Sequence, residues 1–452
     1  MARTYRKSRP KKRQDPVGID DTTGHTQNRL RHLETVIEQL NERVKAAEHH
    51  GARLQSQLQQ QEATPIDSTS LSALATSDHG DTDFVNDSPV LMSLPPLEDV
   101  LPIVKVFLHT FNTALPLFHA NSLLYLIHHF YKVRLPQRDP VVWAAINVVL
   151  ALAYRSDLVG SRNTNLSVEY LNKADSVLSA VVLGDTHLLN IQVLVGMVFL
   201  LQASPDLTHS LVLIATTIRL AHKIGLHDRT ASACLDAVDA RQRACVFWMA
   251  YILDKDLSMR SKQPSIQLDD DVDLDLPSPG IAEYQIKKVG VADIGIDPGV
   301  FTTADGNVEM NYFVTRIQLA VIEGGVYDYL YSTRSRNRSA EERSQALKSI
   351  FRALETWKAS IPLEFDAPMA PKTISPTMLQ FLAVLHSTSL ACTTLLNQAN
   401  VWNTLWMSSI WKYATEGITP VLPFQWEATV DQARHLAVLI GALPVQNRWN
   451  FW

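Results

Sequence analysis

The stretch "DARQRACVFWMAYILDKDLSMRSKQPSIQLDDDVDLDLP", residues 239–277, contains the pattern that decides the fold. Its first half carries apolar residues at helical spacing from Cys245 to Leu257, and Asp236 and Asp239 favour a helix start just before it. Its second half holds Pro264, Pro277 and a cluster of acidic residues. The pattern predicts a buried helix that runs into an acidic loop.

The rest of the chain beyond Pro96 repeats this helical spacing, and no alternating strand pattern competes with it. Gly225 is well placed to end one of the helices in a left-handed conformation. With 46% hydrophobic residues and only 17 glycines in 452 residues, the composition predicts an all-α fold with a large core. Helices are predicted at Val100–Phe111, Leu123–Val133, Val141–Tyr154, Leu166–Leu183, Leu188–Leu201, Leu211–Ile224, Cys245–Leu257, Val308–Tyr331, Ala340–Ser360, Thr377–Gln398 and Trp426–Leu443.

The chain divides by composition into a tail and a body. We expect a disordered basic arm over 1–28, a coiled-coil helix over 29–60, an acidic Ser/Thr/Pro linker over 61–96, and an all-helical domain over 97–452. Within the domain, residues 264–307 form an irregular, Pro- and Gly-rich excursion. Loops of this length in a compact domain tend to be functional.

The basic arm begins "MARTYRKSRPKKRQDP", residues 1–16, although the whole chain has a net charge of −5. So many positive charges with so few apolar residues cannot form a core, which predicts a disordered arm that contacts nucleic acid or an import receptor. The residues predicted to make these contacts are Arg3, Arg6, Lys7, Arg9, Lys11, Lys12 and Arg13.

A heptad pattern follows the arm, with apolar residues at alternating steps of three and four. β-Branched Ile37 and Val44 at position a, with leucines at d, favour a parallel two-stranded coiled coil, and the charges flanking the seam are complementary. The alternative is one amphipathic helix packed on its own domain. The predicted dimerisation residues are Leu30, Leu33, Ile37, Leu40, Val44, Leu54 and Leu58.

The cellular setting follows from the cysteines and the apolar runs. Cys234, Cys245 and Cys392 are too few and too scattered for a disulfide framework, which predicts a reducing compartment. The N-terminus has no apolar segment of a secretory signal, and the runs Val141–Tyr154 and Leu188–Ala203 are short for a membrane span. We therefore expect a soluble intracellular protein with no membrane partner.

Two stretches, "SLVLIATTIRLAHKIGLHDR" (residues 210–229) and residues 239–277, together resemble the fungal-specific transcription factor domain of the fungal zinc-cluster regulators. "ALPLFHANSLLYLI", residues 114–127, is similar to the opening of that domain, and the resemblance runs from about Leu97 to beyond Trp357. It implies a non-enzymatic, nuclear regulator of RNA polymerase II transcription, specific to a pathway or gene cluster, with DNA and the transcription machinery as partners. The residues that carry the family motif are Gly225, Arg241, Arg243, Phe247, Trp248, Tyr251, Asp254, Pro264 and Pro277.

One feature of the family has no counterpart in this sequence. Family members usually begin with six cysteines that hold two zinc ions, and none of the three cysteines here precedes residue 234. We therefore predict no metal or other cofactor, and no zinc-cluster DNA binding, in the chain as given. Two explanations are open. Either the start codon is assigned too far downstream, so that an upstream segment is missing from the sequence, or the protein is a regulator that has lost its DNA-binding domain. In the second case, the chain is either a coregulator that does not bind DNA or a dominant-negative partner that pairs with a full-length relative and titrates it. The expected dimer is a homodimer or a heterodimer with a related regulator.

The run "DDDVD", residues 269–273, matches the DDxxD phrase with which all-α prenyl-diphosphate enzymes hold magnesium. That motif requires Asp269, Asp270 and Asp273 to share a helix face, whereas the flanking prolines predict a loop, so this enzyme remains a remote alternative. His222 and His227 are five residues apart, a poor helical spacing for a metal. We expect the aromatic residues of 247–251 to pack in the core, and Arg241 and Arg243 to pair with Asp254 or with the acids near residue 270.

Overall fold

The computed structural model describes residues 92–155, 164–277, 298–401, 412, 415–417 and 426–444, which all lie in one compact unit, Asp87–Trp452. The basic arm, the heptad segment and nearly all of the acidic linker lie outside the described residues. So does part of the excursion, residues 278–297.

The first half of the described fold is built from helices alone. Their bounds are α1 Leu97–His109, α2 Phe111–Ala114, α3 Ala120–Lys132, α4 Pro140–Arg155, α5 Thr164–Asp175, α6 Leu178–Leu183, α7 Leu188–Leu201, α8 Thr208–Lys223 and α9 Ala237–Ser261. Short 3₁₀ turns occur at Leu135–Gln137, Arg229–Ser232 and Asp269–Asp271.

The second half adds a small antiparallel hairpin and further helices. The strands β1 (Val300–Thr302) and β2 (Glu309–Asn311) pair with Phe301 opposite Met310. The helices that follow are α10 Tyr312–Val326, α11 Thr333–Arg336, α12 Ala340–Ala359, α13 Ala370–Thr373, α14 Pro376–Val401 and α15 Trp426–Ala442, with a π-helical turn at Tyr327–Tyr331 and a 3₁₀ turn at Leu363–Phe365. The prediction of an all-α fold is confirmed.

The centre of the molecule is formed by α4, α7, α9 and α10. Helix α4 packs on α1, α5 and α7, and α9 packs on α7, α8 and α10, so the four helices share one core. The sequence of α7, "LLNIQVLVGMVFLL", is apolar on every side, which is why this helix lies inside the protein. A Cβ at Gly196 of α7 would collide with Val148 of α4, so glycine permits the close contact between these helices.

Two predicted helices differ from the structure. The segment predicted as one helix from Leu166 to Leu183 is divided at Ser176, whose hydroxyl bonds the carbonyl of Lys173 at 2.7 Å and competes with the helical ladder. The segment predicted as a helix from Val308 begins instead with β2, and α10 starts only at Tyr312. The hairpin is held by tertiary contacts, since Phe301 stacks on Tyr312 with ring centroids 4.5 Å apart.

Helix α14 contains the described segment that is long and apolar enough to cross a membrane, Pro376–Ala399. In the protein, 67% of the residues in its most apolar window are buried, and α14 packs against α10, α12 and α15. Its apolar character is therefore accounted for by its place in the core.

Candidate functional site

The end of α8 leads the chain from the core to the acidic loop. Gly225 has a φ of +71°, its N–H bonds the carbonyl of His222 at 3.0 Å, and the N–H of Leu226 bonds the carbonyl of Ala221 at 2.9 Å. This pair of bonds is a Schellman motif, which caps the helix C-terminus. The prediction that Gly225 ends this helix in the left-handed region is confirmed.

Helix α9 holds the acidic loop through adjacent buried charges. The carboxylate of Asp254, a residue only 3% exposed, accepts the backbone N–H groups of Ile266 (3.0 Å) and Gln267 (2.9 Å). The ammonium of Lys255, 1% exposed, bonds the carbonyl of Gln267 at 2.7 Å and lies 2.8 Å from the carboxylate of Asp269. The loop is thus fixed to α9 by side chains of both signs.

The aromatic residues of α9 are buried, as predicted, and two of them also bind the loop. The hydroxyl of Tyr251 donates to Asp269 at 2.7 Å, and the indole N–H of Trp248 donates to the carbonyl of Asp275 at 3.2 Å. Phe247 is fully buried and stacks edge-on against Trp248. Burial raises the pKa of Tyr251, so the phenol stays protonated and remains a donor.

The predicted pairing of Arg243 with the acids is wrong. Its guanidinium bonds the carbonyl of Ile224 at 2.7 Å and the hydroxyl of Ser232 at 2.9 Å, because the start of α9 lies beside the exposed carbonyls at the end of α8. Among the described residues, Arg229 pairs with the loop acids, at 2.6 Å from Asp273 and 3.5 Å from Asp275. Arg241 is half-buried near the start of α9.

The carboxylates of the DDxxD phrase diverge. Asp269–Asp271 forms a 3₁₀ turn, so Asp269 faces Lys255 and Tyr251 while Asp273 faces Arg229. In the described part of the chain, no three side chains of the metal-ligating types come together. The imidazole of His222 bonds the side-chain amide of Gln267 at 2.6 Å, and its ring centroid lies 4.4 Å from that of His227.

A cavity of about 130 Å³ lies where α4, α7, α9, α10 and α14 meet. Aromatic and aliphatic side chains form most of its wall, and the described lining also includes the guanidinium groups of Arg155, Arg260 and Arg316 and the carboxylate of Asp256. Arg155 bonds the carbonyls of Phe199 (3.3 Å) and Leu200 (2.9 Å), which ties the end of α4 to the end of α7.

The polar edge of the cavity continues into a buried ion cluster of Asp256, Arg260, Arg316 and Glu323. Asp256 lies 3.4 Å from Arg260 and 3.7 Å from Arg316, and the guanidinium of Arg316 donates to Oε1 of Glu323. Glu323 is fully buried, and its Oε2 has no hydrogen-bond partner among the described residues. Burial raises its pKa, although Arg316 opposes the shift.

The sequence interpretation missed both the cavity and the cluster. A signal was present within single helices, since Asp256 and Arg260 are four residues apart on α9, and Arg316 and Glu323 are two turns apart on α10. Nothing in the sequence indicated that these two pairs meet. Of the family-motif residues on α9, Trp248, Tyr251 and Asp254 contact the acidic loop, and Asp254 lies two residues before Asp256 of this cluster.

Sequence comparison with known proteins finds one matching family model and several relatives. A family model described as the fungal specific transcription factor domain matches residues 104–359. An ABC-transporter-regulating transcription factor of Aspergillus oryzae is 36% identical over 333 residues, which is 73% of this chain and 36% of that protein. Its namesake in Aspergillus fumigatus is 35% identical over the same lengths. The Fusaridione A cluster transcription factor fsdR of Fusarium heterosporum is 26% identical over 60% of this chain and 49% of its own.

No solved structure matches the chain. The chain spans 36% of the length of the two Aspergillus relatives, and the family match covers more than half of the chain, including the acidic loop and the ion cluster. The chain therefore belongs to the fungal specific transcription factor domain family.

Proposed function

We propose that this chain acts in the nucleus as a regulator of RNA polymerase II transcription, with its helical body as the regulatory domain. The observation that carries the proposal is the family match over residues 104–359. Relatives with similar sequences are named transcription factors, one of them for the Fusaridione A cluster. A target set limited to one pathway or gene cluster is part of the proposal.

We further propose that the chain reaches DNA as a dimer. The seven cations of residues 3–13 are suited to phosphates, which give affinity without a sequence code. In a two-stranded coil over residues 29–60, two copies of the arm would lie side by side, and a dimer of this kind sets the spacing of DNA half-sites. Base-specific contacts would come from a partner or from a zinc cluster outside the given sequence.

A reporter assay tests the regulatory role. The full chain is fused to a heterologous DNA-binding module and directed to a reporter promoter in fungal cells, with the module alone as the control. We expect reporter transcription to change in either direction and a fluorescent tag to accumulate in nuclei. Unchanged transcription with cytoplasmic fluorescence would contradict the proposal.

A binding assay tests the DNA contact separately. Purified chain is titrated with a duplex of arbitrary sequence at several salt concentrations, and log K is expected to fall by up to ~0.9 per neutralised phosphate for each unit of log salt. Replacing the seven basic residues with Gln should abolish binding of the duplex. If the unsubstituted chain binds no duplex at low salt, the DNA-independent coregulator is the better description.

A further inference from the structure

The central cavity has the dimensions and walls of a small-molecule site. Phe111, Leu152, Phe199 and Phe381 reach it from four different helices. Its volume of about 130 Å³ is close to that of a known apolar protein cavity of about 150 Å³ that accepts benzene. Ligand sites in proteins combine such apolar walls with a few converging polar groups.

The cavity presents guanidinium groups to a negatively charged ligand. Its described lining includes those of Arg155, Arg260 and Arg316 beside the carboxylate of Asp256. Arg155 and Arg260 are bound to other protein groups, so Arg316 is the one that can bind a ligand. The guanidinium group is planar and matches a carboxylate through two parallel hydrogen bonds. The charge type and the shape of the polar edge therefore both suit an anionic group.

Arg316 is the side chain whose guanidinium is best suited to bind an anion in the cavity. It is 4% exposed, and among the described residues its guanidinium makes one hydrogen bond, to Glu323, and a longer contact of 3.7 Å with Asp256. A guanidinium carries five N–H donors, so Arg316, which lines the cavity, retains donors that bond no described protein group. A buried cation with unused donors favours occupation by an acceptor.

We propose that this cavity binds a small organic anion with a flat or compact apolar body, whose anionic group is held by the guanidinium of Arg316. The apolar body lies against the phenyl rings of Phe111, Phe199 and Phe381. Binding itself needs only the cavity, whereas its role as the signal that the helical body receives rests on the proposed function.

The test uses three probes of nearly the same shape and different charge: benzoate, the neutral benzamide and the cationic benzamidine. Each is titrated into the purified full chain by calorimetry, up to probe concentrations of about 10 mM, since small fragments bind at millimolar levels. We expect benzoate to bind at least ~10-fold more tightly than benzamide, because only the anion gains from the guanidinium. Benzamidine is expected not to bind.

Two variants and a control locate the binding. Arg316→Lys keeps the charge but removes the planar fork, and should reduce benzoate affinity by about 10-fold with little effect on benzamide. Val384→Phe, on the α14 wall, fills the cavity and should abolish binding of both probes. Val438→Phe makes the same change at an exposed position of α15, and its binding should equal that of the unsubstituted chain.

Several results would overturn the proposal. These are equal affinity for benzoate and benzamide, preference for benzamidine, no heat with any probe, or unchanged benzoate binding in Val384→Phe with its circular dichroism intact. Because these measurements use purified protein, a failed reporter assay would leave them standing, and a failed titration would leave the reporter result standing.

Discussion

Glu323 is fully buried on α10, with one carboxylate oxygen bound to Arg316 and the other without a partner among the described residues. Removal from water favours the neutral acid, and this effect outweighs the attraction of Arg316. Near neutral pH Glu323 is therefore largely protonated and offsets little of the positive charge of Arg316, which is consistent with an anion in the adjacent cavity.

The raised pKa of Glu323, about 8 against an ordinary value of 4.5, predicts a pH-dependent stability. Between these two values the folded chain holds a proton that the unfolded chain has released, so the free energy of unfolding falls as pH rises through this window. Glu323→Gln removes this contribution. Its stability relative to the unsubstituted chain should therefore increase with pH by up to ~1.4 kcal/mol per unit.

Urea unfolding at pH values across the window measures this difference. Glu341→Gln, an exposed position at the start of α12, is the control. A stability difference between Glu323→Gln and the unsubstituted chain that does not change with pH would show that Glu323 does not titrate in this window.

Gly225 is the second residue whose role the geometry defines closely. An alanine at this position would have to adopt a positive φ, and its Cβ would lie 2.6 Å from the Cβ of Ala231. We expect Gly225→Ala to lower the free energy of unfolding by about 2 kcal/mol or more, from strain and overpacking together. Gly306 also has a positive φ, but a Cβ there meets nothing within 4 Å. Gly306→Ala should therefore cost only about 1 kcal/mol, and equal losses in urea unfolding would contradict the packing argument.

Among the helices and strands, the long helices were predictable from the sequence and the short elements were not. Helix α7 begins and ends at the predicted residues, Leu188 and Leu201, because its apolar run is long and bounded by polar residues. The hairpin strands are three residues long, too short to show an alternating pattern, and they depend on stacking between Phe301 and Tyr312. Sequence periodicity indicates local secondary structure and gives no information about such side-chain contacts.

The same limit applies to the candidate site. That the aromatic residues of α9 belong to the core was predictable from their helical spacing, whereas the partner of Arg243 was not. Arg243 lies closer to the end of α8 than to the loop acids, and only the crossing of these two helices determines that. The cavity was unpredictable for the same reason, because its wall combines residues as far apart as Phe111 and Phe381.

Attachment of the acidic loop to α9 depends on the carboxylate of Asp254. Asp254→Ala removes the acceptor of two backbone N–H groups and should destabilise the protein by about 3 kcal/mol. Loss of this anchor should also make the chain near residues 264–277 sensitive to limited proteolysis. Asp270→Ala, an exposed aspartate in the same loop, is the matched control and should be cleaved no faster than the unsubstituted chain. Equal cleavage of both variants would show that Asp254 does not hold the loop.

The proposed dimer depends on the heptad residues. A proline in the middle of a helix removes a hydrogen bond and clashes with the preceding turn. We therefore expect the chain to sediment as a dimer at tens of micromolar, and Leu40→Pro to sediment as a monomer. Ser70→Pro changes the proposed linker and should leave the dimer intact. A monomeric unsubstituted chain, or a Leu40→Pro variant that remains dimeric, would disprove the coiled coil.

The family match ends at residue 359, yet α14 packs against α10 and α12 and supplies Gln380, Phe381 and Val384 to the cavity. A recombinant piece trimmed to the limits of the match would lack one side of its own interior, and apolar surfaces of α10 and α12 would face water. Such a piece should aggregate during expression, and any ligand screen performed on it would miss compounds that the longer polypeptide retains.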